Sequence, residues 1–324
     1  MFTDSTTVKT YKGKLTLLGE MSQVPDSQKL FGAIVYLLSD VIGSDAATEF
    51  VRNAKEESII FTLSSILPEG YLPTPKEYLL RIAQTRADAA GNEKTIYSNV
   101  KKMDYLRCNQ ITELLIAPEK LYSGGFSMTS LDFVHLDTNQ QVHVNTLNED
   151  GDENHIFSTQ QTSCTHKENT IKAFEFFINT NDSLIPELLE KQLNHIFTLG
   201  KRSSQGYNLF KLTSFGKIEA IAPSSRGPNL NLGMLLPNQI DYCAEQSALA
   251  LFSSERRPYT KNRGAWDSSQ ANGHFISFLA PGSVIVLSDA KQPYKAGKSV
   301  VAPTASNGEI VYGNAFLYPL EVKE

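Results

Sequence analysis

Strand-like and helix-like segments alternate along the first part of the chain in an order that few folds accommodate. β-Branched and aromatic residues predict a strand from Val8 to Gly19. A helix is predicted from Gln28 to Ile42, because apolar residues recur there at steps of three and four. A second helix is predicted from Asp45 to Lys55, and a strand from Ser58 to Ile66. The chain thus begins with a strand, a helical connection and a second strand.

The alternation continues after residue 107. Strand-like stretches run from Gln110 to Ile116 and from Lys172 to Asn179. A helix that Asp182 or Ser183 can cap is predicted to end at Gly200, and a new strand begins near Gly206. The order strand, helix, strand, insertion, strand, helix, strand is typical of a ferredoxin-like (RRM-like) domain, whose helices cover one face of an antiparallel sheet.

After residue 218, the sequence predicts strands and no helix. Pro223 to Pro228 is rich in proline, serine and glycine and is predicted to be a linker. Short strands are expected after it, near Leu230–Leu236, Ser247–Ser253, Phe275–Leu279, Ser283–Leu287 and Ile310–Pro319. The predicted class is therefore α+β, with two ferredoxin-like domains over residues 1–218 and 219–324.

The segment from Lys76 to Arg107 differs from its surroundings. Cations and carboxylates are interspersed along it with little sustained apolar periodicity, and Ala89 to Asn92 resembles a loop tip. We expect a protruding, partly flexible basic arm inserted into the first domain. A solvated surface insertion without a binding role is the alternative.

Composition restricts the kind of ligand and site. With 324 residues and 41% hydrophobic residues, the chain can bury a large core. Its formal net charge of −5 means that any nucleic-acid site must be a local basic patch. Cys108, Cys164 and Cys243 form no CxxC pair, which excludes zinc-ribbon and thioredoxin-like sites and favours reduced thiols. No metal and no cofactor is predicted.

The sequence also predicts a soluble, cytoplasmic protein. Met1 to Leu18 lacks the apolar stretch of a signal peptide, because charged residues interrupt it. No window approaches the roughly 20 consecutive apolar residues of a membrane helix.

A short glycine-framed motif is the most informative local feature. It consists of Gly200, Lys201, Arg202, Ser203, Ser204, Gln205, Gly206 and Tyr207. Glycines allow a sharp bend, and the amides, cations and hydroxyls can contact phosphate oxygens. Because the motif is predicted to connect a helix to a strand, it is neither a Walker A loop nor a dinucleotide fingerprint. A capping glycine followed by a polar turn is the alternative.

The motif resembles the glycine-rich loop of RAMP-superfamily proteins of CRISPR systems. More closely, the chain resembles the fourth Csm subunit of type III-A CRISPR effector complexes. The segments that carry this resemblance are Asp26–Ile34, Ser65–Pro68, Leu72–Lys76, Gly200–Tyr207 and Phe278–Ser283. The chain departs from the pattern at Phe197 to Leu199, where further glycines are common, and at Asn208, which can adopt left-handed backbone geometry in place of glycine.

The resemblance implies a non-catalytic subunit that acts in antiviral defence. Such subunits bind the repeat-derived 5′ handle of the CRISPR RNA, cap the complex, and dock onto the large polymerase/cyclase-like subunit and a repeated backbone subunit. No membrane and no small-molecule substrate is implied. The predicted RNA contacts are residues 200–207 together with Arg81, Arg86, Lys101 and Lys102 of the arm, and Arg256, Arg257, Lys261 and Arg263 of a basic cluster that includes an aromatic residue.

Two other functions are compatible with the residues. Related RAMP proteins include endoribonucleases that process CRISPR RNA, and general acid–base cleavage would need a histidine, lysine or tyrosine cluster. His195 is the histidine predicted to lie nearest the glycine-rich motif, in the last turn of a helix, where interaction with the helix dipole is the simpler role. A protein–protein scaffold without RNA affinity is the other alternative.

Overall fold

A computed structural model describes the chain in nine stretches. They cover residues 7–85, 91–122, 131–145, 155–200, 202–238, 242–256, 274–287, 293–302 and 310–320. The helices are α1 (Ser27–Val41), α2 (Ser44–Lys55), α3 (Lys76–Gln84), α4 (Glu93–Lys102), α5 (Cys108–Ile116) and α6 (Leu184–Lys191). None of these helices is long and apolar enough to cross a membrane.

Eighteen strands are defined within the described stretches. The strands up to residue 218 are β1 (Lys9–Leu17), β2 (Phe61–Leu63), β3 (Leu67–Pro68), β4 (Leu72–Pro73), β5 (Tyr105–Leu106), β6 (Phe133–Asn145), β7 (His155–His166), β8 (Asn169–Thr170), β9 (Ala173–Thr180), β10 (Ile196–Thr198) and β11 (Leu209–Ile218). The later strands are β12 (Pro228–Asn231), β13 (Leu251–Arg256), β14 (His274–Leu279), β15 (Val284–Val286), β16 (Val300–Val301), β17 (Ile310–Val311) and β18 (Leu317–Pro319).

The largest sheet is built around β1. Its strands lie in the order β10-β11-β1-β9-β2, every neighbouring pair is antiparallel, and β3 also pairs with β9. Leu15 lies between Leu212 of β11 and Phe174 of β9, and all three side chains are buried. The mixed α+β class predicted from the sequence is confirmed.

The first two helices form where the sequence predicts them. The Asp26 side chain accepts a hydrogen bond of 2.9 Å from the Lys29 amide and so caps α1. Leu30, Ile34 and Leu38 recur on one face of α1 and are fully buried. Gly43, with φ of 128°, then redirects the chain into α2.

Two predictions in the middle of the chain are wrong. Gln110 to Ile116 belongs to helix α5, not to a strand, because Ile111, Leu114 and Leu115 are buried at helical spacing. The helix predicted to reach Gly200 ends at Lys191. Asn194, with φ of 73°, reverses the chain, and β10 follows as a strand paired with β11.

The described parts of the segment from Lys76 to Arg107, residues 76–85 and 91–107, do not form a protruding arm. They form α3, α4 and β5. Ala89 and Ala90 of the predicted loop tip lie outside the described residues. Leu79 and Ala83 of α3 and Ile96 and Val100 of α4 are buried and belong to the main core. The four-residue steps between these apolar positions give each short helix one core-facing side, a periodicity that the abundant charges conceal.

A second sheet extends from this segment. Its order is β4-β5-β6-β7-β8, and its longest pair is the antiparallel hairpin of β6 and β7. Met21 joins the sheet edge, because the Thr162 amide donates to the Met21 carbonyl at 2.8 Å. The second sheet therefore lies beside the connection between β1 and α1.

The strands after residue 219 pack onto the first half of the chain. Leu230, Val284, Phe316 and Leu320 belong to the same core cluster as β1 and α1. The Leu63 amide donates to the Asn314 carbonyl at 3.1 Å, which joins β2 to the C-terminal segment. The described part of residues 219–320 contains strands and no α-helix. The division into domains at residue 218 stays a prediction.

Candidate nucleic-acid interface

The glycine-rich motif forms the exposed turn of a β-hairpin between β10 and β11. Ser203 to Gln205 make one 3₁₀ turn, and the Gly206 amide donates to the Ser203 carbonyl at 3.0 Å. Arg202 and Gly206 flank that turn with φ of 63° and 84°, so both lie in the left-handed region. The predicted helix-to-strand turn is therefore a strand-to-strand turn, which still bends sharply at its second glycine.

The turn is fixed to the connection after β1. The Asn208 amide donates to the Glu20 carbonyl at 2.7 Å, and the Asn208 side chain accepts from the Ser22 amide at 3.0 Å. Asn208 is fully buried with φ of 57°, so the left-handed geometry expected of an asparagine at this position is confirmed. A Cβ atom on Gly19 would lie 2.3 Å from the Gly206 carbonyl oxygen, so Gly19 has to be small for the turn to pack here.

The outer surface of the turn offers hydrogen-bond donors to solvent. Ser204, Gln205 and Gly206 are exposed, and Arg202 and Ser203 are half-buried. Within the described stretches, the amides of Ser203 and Ser204 donate no hydrogen bond to another residue. Lys201 lies outside the described residues. The described part of the turn is thus not covered by other chain segments, which is the arrangement that a backbone-gripping loop requires.

Tyr207 closes the turn against the first connection. Burial raises the pKa of its phenol, and its hydrogen bond to Glu20 raises the pKa further, while the nearby Arg202 charge lowers it. The phenol is therefore held neutral as a donor to Glu20.

Arg81 is not available as the predicted phosphate contact. Its guanidinium donates to the carbonyl oxygens of Glu245, Gln246 and Ser247 at 3.0, 2.6 and 2.9 Å. It also lies 5.1 Å from the centroid of the Tyr78 ring. A planar group with five donors can satisfy several carbonyls at once, so Arg81 connects α3 to the second half of the chain.

The other predicted basic contacts fall into three groups. Lys101 and Lys102 are exposed at the C-terminal end of α4. Arg256 ends β13 opposite His274, and only its backbone is described. Arg86, Arg257, Lys261 and Arg263 lie outside the described residues. RNA contact by these residues stays a prediction.

His195 does not occupy the last turn of a helix. It precedes β10 at the end of that strand remote from the glycine-rich turn, and its ring packs edge-on against Phe197 at 4.9 Å. Burial lowers the pKa of His195, and the charge of Asp40 partly opposes this shift. The helix-dipole interpretation is therefore wrong.

A polar network that was not predicted from the sequence lies at the base of the β6–β7 hairpin. Asp132 contacts Arg107 and His166 and accepts a hydrogen bond of 3.0 Å from the Tyr71 hydroxyl. Burial acts to raise the pKa of Asp132, but hydrogen bonds from Arg107 and Tyr71 outweigh it and lower the pKa. The four residues come from distant segments without a shared motif, so the sequence carries no signal that joins them.

The acidic and histidine side chains described do not form a metal site. Asp104 contacts Lys76 at 2.6 Å and His135 at 2.8 Å, but no group of three or more His, Cys, Asp or Glu side chains in the described stretches could hold a metal ion.

Comparison with known proteins identifies the fold. No protein-family model and no curated protein matches the sequence. A chain in the crystal structure of a Csm1–Csm4 cassette in complex with AMPPNP is 18% identical, with a TM-score of 0.54, and the match covers 98% of this chain and 99% of that one. A chain of a Csm3–Csm4 subcomplex of the type III-A CRISPR–Cas interference complex is 12% identical, with a TM-score of 0.57, over 97% of this chain and 99% of that one.

Over almost its whole length, the chain has the fold of a component of CRISPR–Cas complexes. The subunit common to both kinds of assembly is Csm4, so the resemblance to the fourth Csm subunit that the sequence motifs indicate is confirmed at the level of the fold.

Proposed function

We propose that this chain is a non-catalytic subunit of a type III-A CRISPR effector complex that binds the 5′ handle of the CRISPR RNA through the glycine-rich turn. The exposed turn at residues 202–206, anchored from beneath through Asn208, is the observation that carries this proposal. Exposed amides and hydroxyls beside cations bind phosphate oxygens without reading base sequence. Because the repeat-derived handle does not vary in sequence, the turn does not have to read its bases.

The sheet order supports a ferredoxin-like first half. In chain order, the four strands of this domain are β1, β2, β9 and β11. Helices α1 and α2 lie between β1 and β2, and α6 lies between β9 and β11, while the sheet order is β11-β1-β9-β2. This is the arrangement of a βαββαβ domain with an antiparallel sheet. The glycine-rich turn then lies immediately before the fourth strand of that domain.

Partner subunits follow from the assemblies in which the similar chains were solved. Those chains come from Csm1–Csm4 and Csm3–Csm4 assemblies. We propose that this chain contacts a large Csm subunit on one side and a repeated backbone subunit on the other, in the cytoplasm. The net charge of −5 fits a protein that holds RNA on one surface and other subunits elsewhere.

Charge reversal of the turn tests RNA binding. The double substitution Lys201→Glu and Arg202→Glu is compared with Arg52→Glu and Lys55→Glu on the exposed side of α2, which introduces the same charges away from the turn. The affinity of the chain, assembled with its large partner, for handle-containing RNA is measured between 50 and 200 mM salt. Loss of two phosphate contacts lowers the slope of log affinity against log salt by about 1.4.

The control substitutions on α2 are expected to leave both the affinity and the salt slope unchanged. If the turn variant binds the RNA as tightly as the parent protein, the chain acts as a scaffold instead. Incubation with repeat RNA addresses catalysis: retention of intact RNA supports the proposal, whereas cleavage that His195→Ala or His135→Ala abolishes would replace it with an endoribonuclease function.

A further inference from the structure

A cavity of about 710 Å³ opens beside the base of the β6–β7 hairpin. Leu131 and Phe133 form its apolar wall, and Lys102, His135, Lys167 and Glu168 surround it. This volume lies within the range of small-molecule sites, which combine an apolar wall with a few polar groups that fix orientation.

The turn at the edge of the cavity has an unfavourable sequence for its backbone. Lys167 and Glu168 form the two-residue connection between β7 and β8, with φ of 46° and 69°. Two consecutive positive φ angles define a type I′ turn, for which Asn-Gly is strongly preferred. Lysine and glutamate are strained in this conformation, so the turn is less stable than an Asn-Gly turn would be. In return, Lys167 and Glu168 place two side chains at the cavity.

His135 is held in a fixed orientation. Its Nδ1 atom lies 2.8 Å from Asp104 and 3.2 Å from the Lys102 carbonyl, so the Nδ1 proton is shared with these two acceptors. Asp104 is itself paired with Lys76 at 2.6 Å. The charge of Asp104 is thus balanced, and Lys102 and Lys167 remain as exposed cations at the edge of the cavity.

We infer that this cavity binds one unstacked nucleotide of the bound RNA. The base lies against Phe133 and Leu131, and Lys102 and Lys167 contact the adjoining phosphates. Glu168 accepts a hydrogen bond from an exocyclic amino group, which favours adenine, cytosine or guanine over uracil. This inference rests on the proposed RNA-binding function and adds a second contact to that of the glycine-rich turn.

The cavity is connected to the glycine-rich turn through β7. Thr162 contacts Met21 through its amide at 2.8 Å and Ser22 through its hydroxyl at 3.0 Å, and Ser22 is bonded to Asn208 beneath the turn. Thr165 of the cavity lies three residues further along the strand, or roughly 10 Å.

Two kinds of variant test the nucleotide site. Phe133→Ala removes the stacking surface and is expected to weaken binding of single-stranded oligoadenylate by about 5- to 150-fold, whereas Phe133→Tyr, which keeps the ring, is expected to bind as the parent does. The double variant Lys167→Asn and Glu168→Gly installs the preferred turn sequence. It is expected to raise the melting temperature and to weaken binding, which separates a binding defect from misfolding. Lys102→Ala, which removes a proposed phosphate contact, is expected to weaken binding of the oligoadenylate. Lys55→Ala, at the exposed end of α2, is its matched control and is expected to bind as the parent does.

AMP and UMP, titrated alone and in competition with oligoadenylate, distinguish the source of the nucleotide. AMP that binds more tightly than UMP and is displaced by the RNA supports the inference. Unchanged RNA affinity in the Phe133→Ala and turn variants overturns it and leaves the proposed function intact. AMP binding that RNA does not displace overturns the assignment to RNA. If the parent protein retains no RNA, the proposed function fails, and AMP binding alone then identifies a free-nucleotide site.

Discussion

Phe31 of α1 and Tyr312, which follows β17, stack face to face with ring centroids 4.1 Å apart and planes 9° from parallel. The Tyr312 hydroxyl lies 2.9 Å from the Phe61 carbonyl and 2.8 Å from the Asn314 carbonyl. One aromatic pair thus joins the first helix, β2 and the C-terminal segment within the largest core cluster of the described residues.

Tyr312→Ala is expected to destabilise the whole chain. Removal of a fully buried ring costs roughly 3–5 kcal/mol of unfolding free energy, whereas Tyr312→Phe keeps the stacking and costs about 1 kcal/mol for the lost hydrogen bond. Urea unfolding, followed by fluorescence and circular dichroism, measures both values. Two separate transitions, with only the later one shifted by Tyr312→Ala, would show that the two halves fold independently.

Arg81→Ala is expected to lower stability without weakening RNA binding. The substitution leaves three carbonyl groups without their donor and lowers the unfolding free energy by about 1–3 kcal/mol. Lys101→Ala, on the exposed end of α4, is the comparison, since it removes a cation that is predicted to contact RNA. Thermal melting and RNA titration of both variants distinguish a structural arginine from a phosphate-binding one. A large loss of RNA affinity with unchanged stability in Arg81→Ala would contradict this assignment.

Gly19→Ala is expected to displace the glycine-rich turn. The added Cβ would meet the Gly206 carbonyl oxygen at 2.3 Å, and the backbone has to move to relieve that contact at a cost of about 1–3 kcal/mol. Gly32→Ala is the control, because nothing lies within 4 Å of its Cβ position and alanine in a helix stabilises by roughly 0.5–1 kcal/mol. We expect weaker retention of handle RNA by Gly19→Ala alone. Equal retention of handle RNA by the two variants would show that RNA binding does not depend on the position of the turn.

Stability is expected to fall as the pH decreases through the range in which His195 titrates. Burial lowers the pKa of His195 in the folded chain, while the unfolded chain keeps the ordinary value near 6.5. Between these two values the unfolded state binds more protons, so the stabilisation by neutral His195 is complete above about pH 6.5 and is lost as the pH falls through the folded value.

His195→Gln removes this proton difference. Urea unfolding at pH 7.5 and pH 5.0 should show a smaller loss of unfolding free energy in the variant than in the parent. Identical losses in the two proteins would assign the pH dependence to other groups.

The elements that were predicted correctly carry strong local signals. Asp26, followed by apolar residues at helical spacing, defines α1, and alternating apolar residues define β1 and β11. The strands predicted at Phe275–Leu279 and Ser283–Leu287 likewise match β14 and β15, whereas those predicted at Leu230–Leu236 and Ser247–Ser253 overlap β12 and β13 only in part. In these segments, local preference and tertiary packing agree.

The errors arose where tertiary contacts override local pattern. Ile111, Leu114 and Leu115 fit a short strand as well as a helix in sequence, and only their burial on one face distinguishes the two. The helix predicted to continue through Ile196 does not form there, because the backbone of Asn194 is left-handed and residues 196–198 pair with β11 as a strand. Distant pairs such as Arg81 with Gln246, or Asp132 with His166, depend on the fold and have no periodicity to reveal them.

The site was predictable in part. The glycine-rich turn stands out because two glycines, cations and hydroxyls lie together in sequence. The cavity beside Phe133 assembles from α4, β6 and the connection after β7. Nothing in the sequence singles out Lys102 or Lys167. The turn that carries Lys167 and Glu168 is distinguished only by its positive φ angles, which the structure shows.

The core cluster that contains Phe31 and Tyr312 has a consequence for biosynthesis. Phe31, Phe50 and Phe61 are synthesised early, but Tyr312, which contacts Phe31 and Phe61, is added near the end of synthesis. A nascent chain on the ribosome therefore carries an uncovered aromatic surface through most of translation, and contacts between such distant residues form slowly. Chaperone demand and aggregation during expression should consequently depend on how fast the last strands are released from the ribosomal exit tunnel.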